Sequence, residues 1–137
     1  MMRRRRAREY ALQILFQIDF KSQEVSRNDF EGFWLDKNES EDVRKFTEEL
    51  VRGTIERLDE IDSRLEKVAE NWVLKRMAAV DRNILRFAAF EILYRKDIPP
   101  AVTINEAVEI AKKFSSSESA PFINGILDKL AKEMGKS

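Results

Sequence analysis

The sequence predicts an all-α protein of six to seven helices, and three observations carry that prediction. Apolar residues recur three and four positions apart along almost the whole chain, the period of an amphipathic helix. Only four Gly and three Pro interrupt the 137 residues. No segment shows the period-2 alternation of a half-buried strand. The length suits one domain, and a chain of this mass buries roughly two-thirds of its unfolded surface. With 43% hydrophobic residues, wholesale disorder is not expected although 36% of positions are charged.

The elements follow in order. Ala7, Ala11, Ile14, Leu15 and Ile18 share one face, so residues 4–21 form a first helix. Ser26 and Asp29 have capping-box spacing and open a short helix that buries Phe30, Phe33 and Trp34. Ser40 is the N-cap of a long third helix whose stripe runs Val43, Phe46, Leu50, Val51, Ile55, Leu58, Ile61, Leu65, Val68. Gly53 interrupts that stripe at a cost of about 1 kcal/mol relative to Ala, and marks either a kink or a close helix approach. Residues 71–77 are a connector with at most one helical turn. Val80 to Arg95 is apolar on nearly every side and is expected at the centre. Asp97-Ile98-Pro99-Pro100 ends it. Thr103 and Glu106 suggest a capping box for the next helix, and Ser115 and Glu118 another for the last, with Pro121 in its first turn. The polar break at Asn71 divides one domain into helical subdomains of about 1–71 and 72–137 that share the central helix.

Composition excludes whole classes of chemistry. There is no Cys and no His. That removes disulfides, thiolate metal sites, and the Ser-His and Cys-His routes to nucleophilic catalysis. No apolar run approaches a membrane span, and no apolar signal segment follows the basic N-terminus, so a cytoplasmic protein is expected. The net charge of zero hides an uneven distribution: +4 over residues 1–27, −7 over 28–71 and +3 over 72–137. A partner meets the local field and not the sum.

Three groups of residues stand out. Arg3, Arg4, Arg5, Arg6 and Arg8 put five planar guanidinium forks in six positions, either a footprint for nucleic-acid phosphate or a solvated, frayed terminus. At about 100° per residue, Arg5, Leu12 and Phe16 point away from the Ala7–Ile18 face, with Arg8 at the edge and Phe20 close by. Cations beside an exposed aromatic suit single-stranded RNA; the alternative is that helices cover both faces. Phe122 lies off the core face of the last helix, with Lys112 and Lys113 upstream; those lysines also suit a helix C-terminus. Asp81, Arg82 and Arg86 are the charges in the first half of the apolar central helix and belong either to an internal ion-pair network or to a partner surface.

Five blocks in sequence carry a family resemblance. They are Arg5-Arg6-Ala7-Arg8-Glu9-x-Ala11-Leu12-Gln13-x-Leu15-Phe16-Gln17, Asp81-Arg82-x-Ile84-Leu85-Arg86, and Asp97-Ile98-Pro99. Ile104-Asn105-Glu106-Ala107-Val108-Glu109-x-Ala111-Lys112 and Phe122-Ile123-Asn124-Gly125-Ile126-Leu127-Asp128 complete the set. In this order, nearly end to end, the chain resembles the NusB family of bacterial antitermination factors. The resemblance implies two small three-helix bundles packed around a shared hydrophobic core. It implies binding of the single-stranded boxA element of nascent ribosomal RNA together with NusE, a ribosomal small-subunit protein, to seed an antitermination complex on RNA polymerase. It also implies self-association as a homodimer when NusE is absent, and no cofactor. Position by position, the arginine run matches the family's RNA-binding motif, and Phe16, Asp81, Glu118 and Phe122 match positions near its RNA and NusE surfaces. The candidate RNA site is therefore Arg3, Arg4, Arg5, Arg6, Arg8, Phe16, Lys112, Lys113, Glu118 and Phe122. The candidate NusE site is Phe16, Asp81, Arg82, Arg86 and Phe122. Asn105 and Asn124, also in these blocks, are expected to be buried and hydrogen-bonded.

The expected function is thus a non-catalytic RNA-binding adaptor. If the run neutralises five phosphates, the log-log salt slope of RNA binding is about −3.5. Three rivals are a helical protein–protein adaptor, a stand-alone relative of the RNA-binding domain of a ribosomal RNA methyltransferase, and a carboxylate nuclease. No Gly-rich βαβ unit supports the second, and the acidic spacings fit caps and ion pairs better than the third.

Overall fold

The computed structural model describes residues 2–19, 24–69 and 74–135. Phe20, the end of the expected first helix at Lys21, and residues 71–73 of the connector lie outside them. Seven helices follow in order: α1 (Met2–Asp19), α2 (Arg27–Trp34), α3 (Glu41–Glu56), α4 (Leu58–Ala69), α5 (Ala79–Tyr94), α6 (Pro100–Phe114) and α7 (Ser119–Glu133). A 3-10 turn, Leu74–Arg76, precedes α5. Among the described residues there is no strand.

Helix α5 is central because little of its surface is polar enough to face water. Ile84, Leu85, Phe87, Ala88 and Ala89 are fully buried, and α5 packs against α1, α3, α4, α6 and α7. Helices from both sides of residue 71 therefore contribute to one hydrophobic cluster. Helix α1 lies against α3, α5 and α6. That wide contact buries Leu12 to 3% exposure, contrary to its expected outward position, while Phe16 stays 37% exposed.

Local signals account for some boundaries and miss others. The Ser26–Asp29 capping box forms in both directions. Ser40 is an N-cap by backbone geometry, but its side chain makes no cap hydrogen bond. The long third helix is two helices, broken at Arg57. Gly53 is not the break: a Cβ there would lie 2.1 Å from Cζ of Phe90, so the glycine admits the Phe90 ring against α3. The Thr103–Glu106 box does not form. Helix α6 starts at Pro100, whose ring suits a first helical position. That leaves Thr103 buried inside the helix, donating to Glu91 at 2.6 Å. The Ser115–Glu118 box is replaced by Ser116, whose hydroxyl accepts from the Ser119 amide at 3.2 Å.

The charges on α5 are resolved mainly by pairing inside the protein. Arg86 donates to Asp62 through Nε and Nη2, both at 2.9 Å, and to Asp19 at 3.0 Å. Arg82 also binds Asp19 and donates to the carbonyls of Leu74 (3.1 Å) and Met77 (2.9 Å). This network ties the end of α1 and the 3-10 turn to α4 and α5. Burial alone would raise the Asp19 carboxyl, but the hydrogen bonds from Arg82 and Arg86 prevail and hold it below the usual carboxylate range.

Two outcomes follow from this packing. Gly53→Ala gains about 1 kcal/mol of helix propensity but forces Phe90 aside, an overpacking cost of about 1–3 kcal/mol. A lower urea midpoint is expected, and a higher one would show that the ring gives way freely. A carboxyl held low in the folded state stabilises above its unfolded pKa and loses that contribution as pH falls through its folded value. Stability should therefore hold from pH 7 to about pH 5 and fall below about pH 4. In Asp19→Asn the protein should be weaker at pH 7 and show a smaller acid-side drop in urea midpoint.

Candidate nucleic-acid interface

The arginine run begins α1 and divides between two environments. Arg8 is 2% exposed and donates through Nε (2.7 Å) and Nη2 (3.0 Å) to Glu91, which is fully buried on α5. Arg5 grips Glu106 of α6 in the same two-pronged way, at 2.8 and 2.7 Å. The hydrogen bond from Arg5 holds the Glu106 carboxyl below its usual range. Arg6 grips Glu39 at 2.6 and 3.1 Å, and Tyr10 donates to the same carboxylate at 2.6 Å. Burial, then that hydrogen bond, pushes the Tyr10 hydroxyl up to about 12. Paired forks of this kind are strong and geometrically specific.

Arg5, Arg6 and Arg8 thus anchor α1, and Arg8 has no surface to offer a phosphate. Arg3, Arg4 and Arg6 are exposed, and of these only Arg6 has its fork held by a two-pronged pair. Arg3 pairs with the exposed Asp42 at 3.1 Å, and Arg4 lies over the Phe46 ring at 4.6 Å. The expected five-fork footprint is therefore much smaller than the sequence suggests.

A second cationic region lies where α6 ends. Lys112 and Lys113 are exposed, with surface pairs to Glu109 (3.2 Å) and Glu9 (3.1 Å). The Arg5–Glu106 and Lys113–Glu9 contacts run α1 and α6 side by side in the same direction. That register carries Phe16 towards the turn between α6 and α7. Gln13 and Gln17 are exposed within about 100° of Phe16 on the helix. Sequence reading passed over these two amides, although the same wheel that singled out Phe16 contains them. Phe114 is also 36% exposed at the end of α6.

The turn itself is held from α5. Asp81 accepts from the Ser115 hydroxyl at 2.7 Å with one oxygen and from the Ser119 hydroxyl at 2.9 Å with the other. The Ser116 and Ser119 hydroxyls lie 3.1 Å apart. Glu118 is exposed and Phe122 half-buried just beyond this cluster. Asp81 therefore orders the segment that presents Glu118 and Phe122. Arg82 and Arg86 belong to the internal network with Asp19 and Asp62, and Arg86 is 6% exposed. This fits the first of the two alternatives open for them and puts Arg86 out of a partner's reach. Asn105 and Asn124 are both exposed, so their expected burial is wrong: they lie on the solvent sides of α6 and α7.

Among the described residues, no group of three or more acidic side chains is placed to hold a metal ion. No described helix is long and apolar enough to cross a membrane.

Comparison with known proteins bears on family and fold. A sequence model of the NusB family matches residues 5–132. The transcription antitermination protein NusB of Thermodesulfovibrio yellowstonii is 50% identical, over 96% of this chain and 93% of its own. NusB of T. maritima superimposes with a TM-score of 0.85 at 42% identity, covering 95% of this chain and 91% of the other. A crystal structure of the antitermination factors NusB and NusE in complex with double-stranded RNA contains a chain that superimposes with a TM-score of 0.86 at 27% identity, covering 97% and 98%. A match that spans most of the chain in sequence and in fold shows that this chain belongs to the NusB family of transcription antitermination proteins.

Proposed function

We propose that this chain is a non-catalytic adaptor that binds the boxA element of nascent ribosomal RNA together with NusE and seeds an antitermination complex on RNA polymerase. The observation that carries the RNA and NusE part of the reading is the near-complete structural match to a NusB solved with NusE and double-stranded RNA; the single-stranded element is inferred from the surface. The surface formed by α1 and the α6–α7 turn supports it. Lys112, Lys113, Arg3 and Arg4 supply phosphate contacts, which orient RNA but specify little sequence. Phe16 offers a stacking face, and Gln13 and Gln17 offer amides that can both donate to and accept from base edges. Phe122 and Glu118, held in place through Asp81, complete a composite surface for RNA and NusE. Unpaired bases fit such a surface better than a duplex, whose edges are withdrawn into its grooves. The same reading places the protein in the cytoplasm, where its RNA is made, and includes self-association when NusE is absent.

With these four exposed cations in play, the log-log salt slope for a single-stranded oligonucleotide that carries boxA and enough flanking sequence to reach all of them is expected near −2.8. Filter binding with and without NusE at several salt concentrations measures it. A slope near zero would remove the electrostatic part of the reading, and tighter binding of the duplex would remove the single-stranded part. Phe16→Asp should weaken RNA or NusE binding at least tenfold with little change in urea midpoint, since the side chain is already over one-third exposed. Unfolding in place of lost binding would show that Phe16 is a packing residue.

A further inference from the structure

The division of the arginine run has a geometric counterpart on the other side of α1. Arg3 and Arg4 both line a cleft of about 310 Å³ between the start of α1 and α3. Lys45 from α3 and Arg95 from the end of α5 enter the same cleft, whose wall is the Phe46 ring. Arg4 and Arg95 lie over that ring at 4.6 and 5.2 Å. Four cations thus converge from three elements separated in sequence, against two carboxylates, Asp42 and Glu49.

The carboxylates do not neutralise them. Asp42 meets Arg3 in a pair whose members are 58% and 70% exposed, a contact of the kind worth about 0–1 kcal/mol. Glu49 reaches Arg95 only at 3.5 Å, and Arg95 also holds Asp97. The hydrogen bond to Asp97 fixes the Arg95 fork at the rim. Among the described residues neither Arg4 nor Lys45 makes a close ion pair, although Asp97, already held by Arg95, feels the charge of Arg4. Four cations against Asp42 and Glu49, with Asp97 at the rim occupied by Arg95, leave the exposed Arg4 and Lys45 outside any close ion pair, which suits a phosphodiester or other oligophosphate.

We propose that this cleft binds the backbone of the RNA that flanks the recognised element, with Arg4 and Lys45 as its phosphate ligands. The inference rests on the RNA-binding reading above but assigns a separate path. Phe16 and the α6–α7 turn read the element, and the Arg4–Lys45 cleft holds the adjoining strand over the N-terminal end of α1. Arg5, Arg6 and Arg8 take no part in the RNA contact; their pairs with Glu106, Glu39 and Glu91 set the direction from which the strand arrives.

The test uses the full chain and two probes. The first is tripolyphosphate, followed by amide chemical shifts. Shifts confined to residues 3–4, 43–46 and 95, abolished in Lys45→Gln, are expected; the absence of shifts there overturns the cleft whatever RNA does. The second is a pair of boxA oligonucleotides, one limited to the element and one extended by several nucleotides on each side. Lys45→Gln should weaken the extended RNA about three- to tenfold and reduce its log-log salt slope by about 0.7, while leaving the short RNA unchanged. The exposed Lys67→Gln, on α4, serves as the control and should change neither. Equal loss for both oligonucleotides, or no loss for either, overturns the flanking-strand assignment. A wild-type chain that takes tripolyphosphate in the cleft but binds neither RNA contradicts the RNA reading and leaves the anion site standing.

Discussion

The buried Arg8–Glu91 pair is the constraint on which the rest of this structure depends. Glu91 is fully buried on a helix otherwise apolar along its second half, and Arg8 is 2% exposed. Two unpaired charges at such depth would each cost several kcal/mol, so neither residue is tolerable without the other. The pair is complete because Thr103 donates to the same carboxylate from α6, so three helices meet at one acidic group. A contact of this kind does little for net stability compared with an apolar pair, but it fixes register. Helix α1 cannot rotate or slide on α5 without breaking it. The outward positions of Gln13, Phe16 and Gln17 follow from that lock.

The same logic extends outward from α5. Of its remaining charges near the start, Asp81 reaches the α6–α7 turn, Arg82 the end of α1 and the 3-10 turn, and Arg86 both α4 and the same Asp19 at the end of α1. The helix contributes the hydrophobic centre and, through four charged residues, the orientation of elements around it. Hydrophobic burial brings these helices together without direction. The paired charges and the Gly53–Phe90 approach select one arrangement among the many that would bury the same area.

Much of the fold was legible because helix period is a strong signal over long segments, and Val80 to Arg95 was placed at the centre on that basis. Boundaries were less legible where two signals competed. Thr103 and Glu106 have the spacing of a cap, but Pro100 starts the helix one turn earlier, and the deeper carboxylate of Glu91 claims the Thr103 hydroxyl. Leu12 sits opposite the first core face, yet α1 packs against three helices and that side is buried as well, and one helical wheel shows a single partner at best. The candidate site was legible as a set of residues and not as a set of roles. Linear sequence shows that Arg5, Arg6 and Arg8 are cationic. It does not show that Glu106, Glu39 and Glu91, lying 33 to 101 positions away, will meet them. Asn105 and Asn124 were misjudged for a related reason: a buried role was expected for an amide in a signature block, whereas α6 and α7 turn both to solvent.

A formal charge of zero acquires a structural meaning from these pairs. Cation and anion are far apart in the chain but adjacent in space at Arg5, Arg6, Arg8, Arg82 and Arg86, so those charges cancel where they stand. What remains for a partner is the imbalance: Arg3, Arg4 and Lys45 at one end of α1, Lys112 and Lys113 beside its middle, and the acidic groups left over on α3 and α4. Exposed charges more than about 8–10 Å apart are largely screened at physiological salt. On the proposed reading, RNA crossing this surface meets the two clusters in turn, and their placement on α1 and α6 becomes part of what is recognised. On that reading a longer strand engages both clusters and a short one only the nearer, and discrimination by length would arise from the same buried pairs that hold the helix in place.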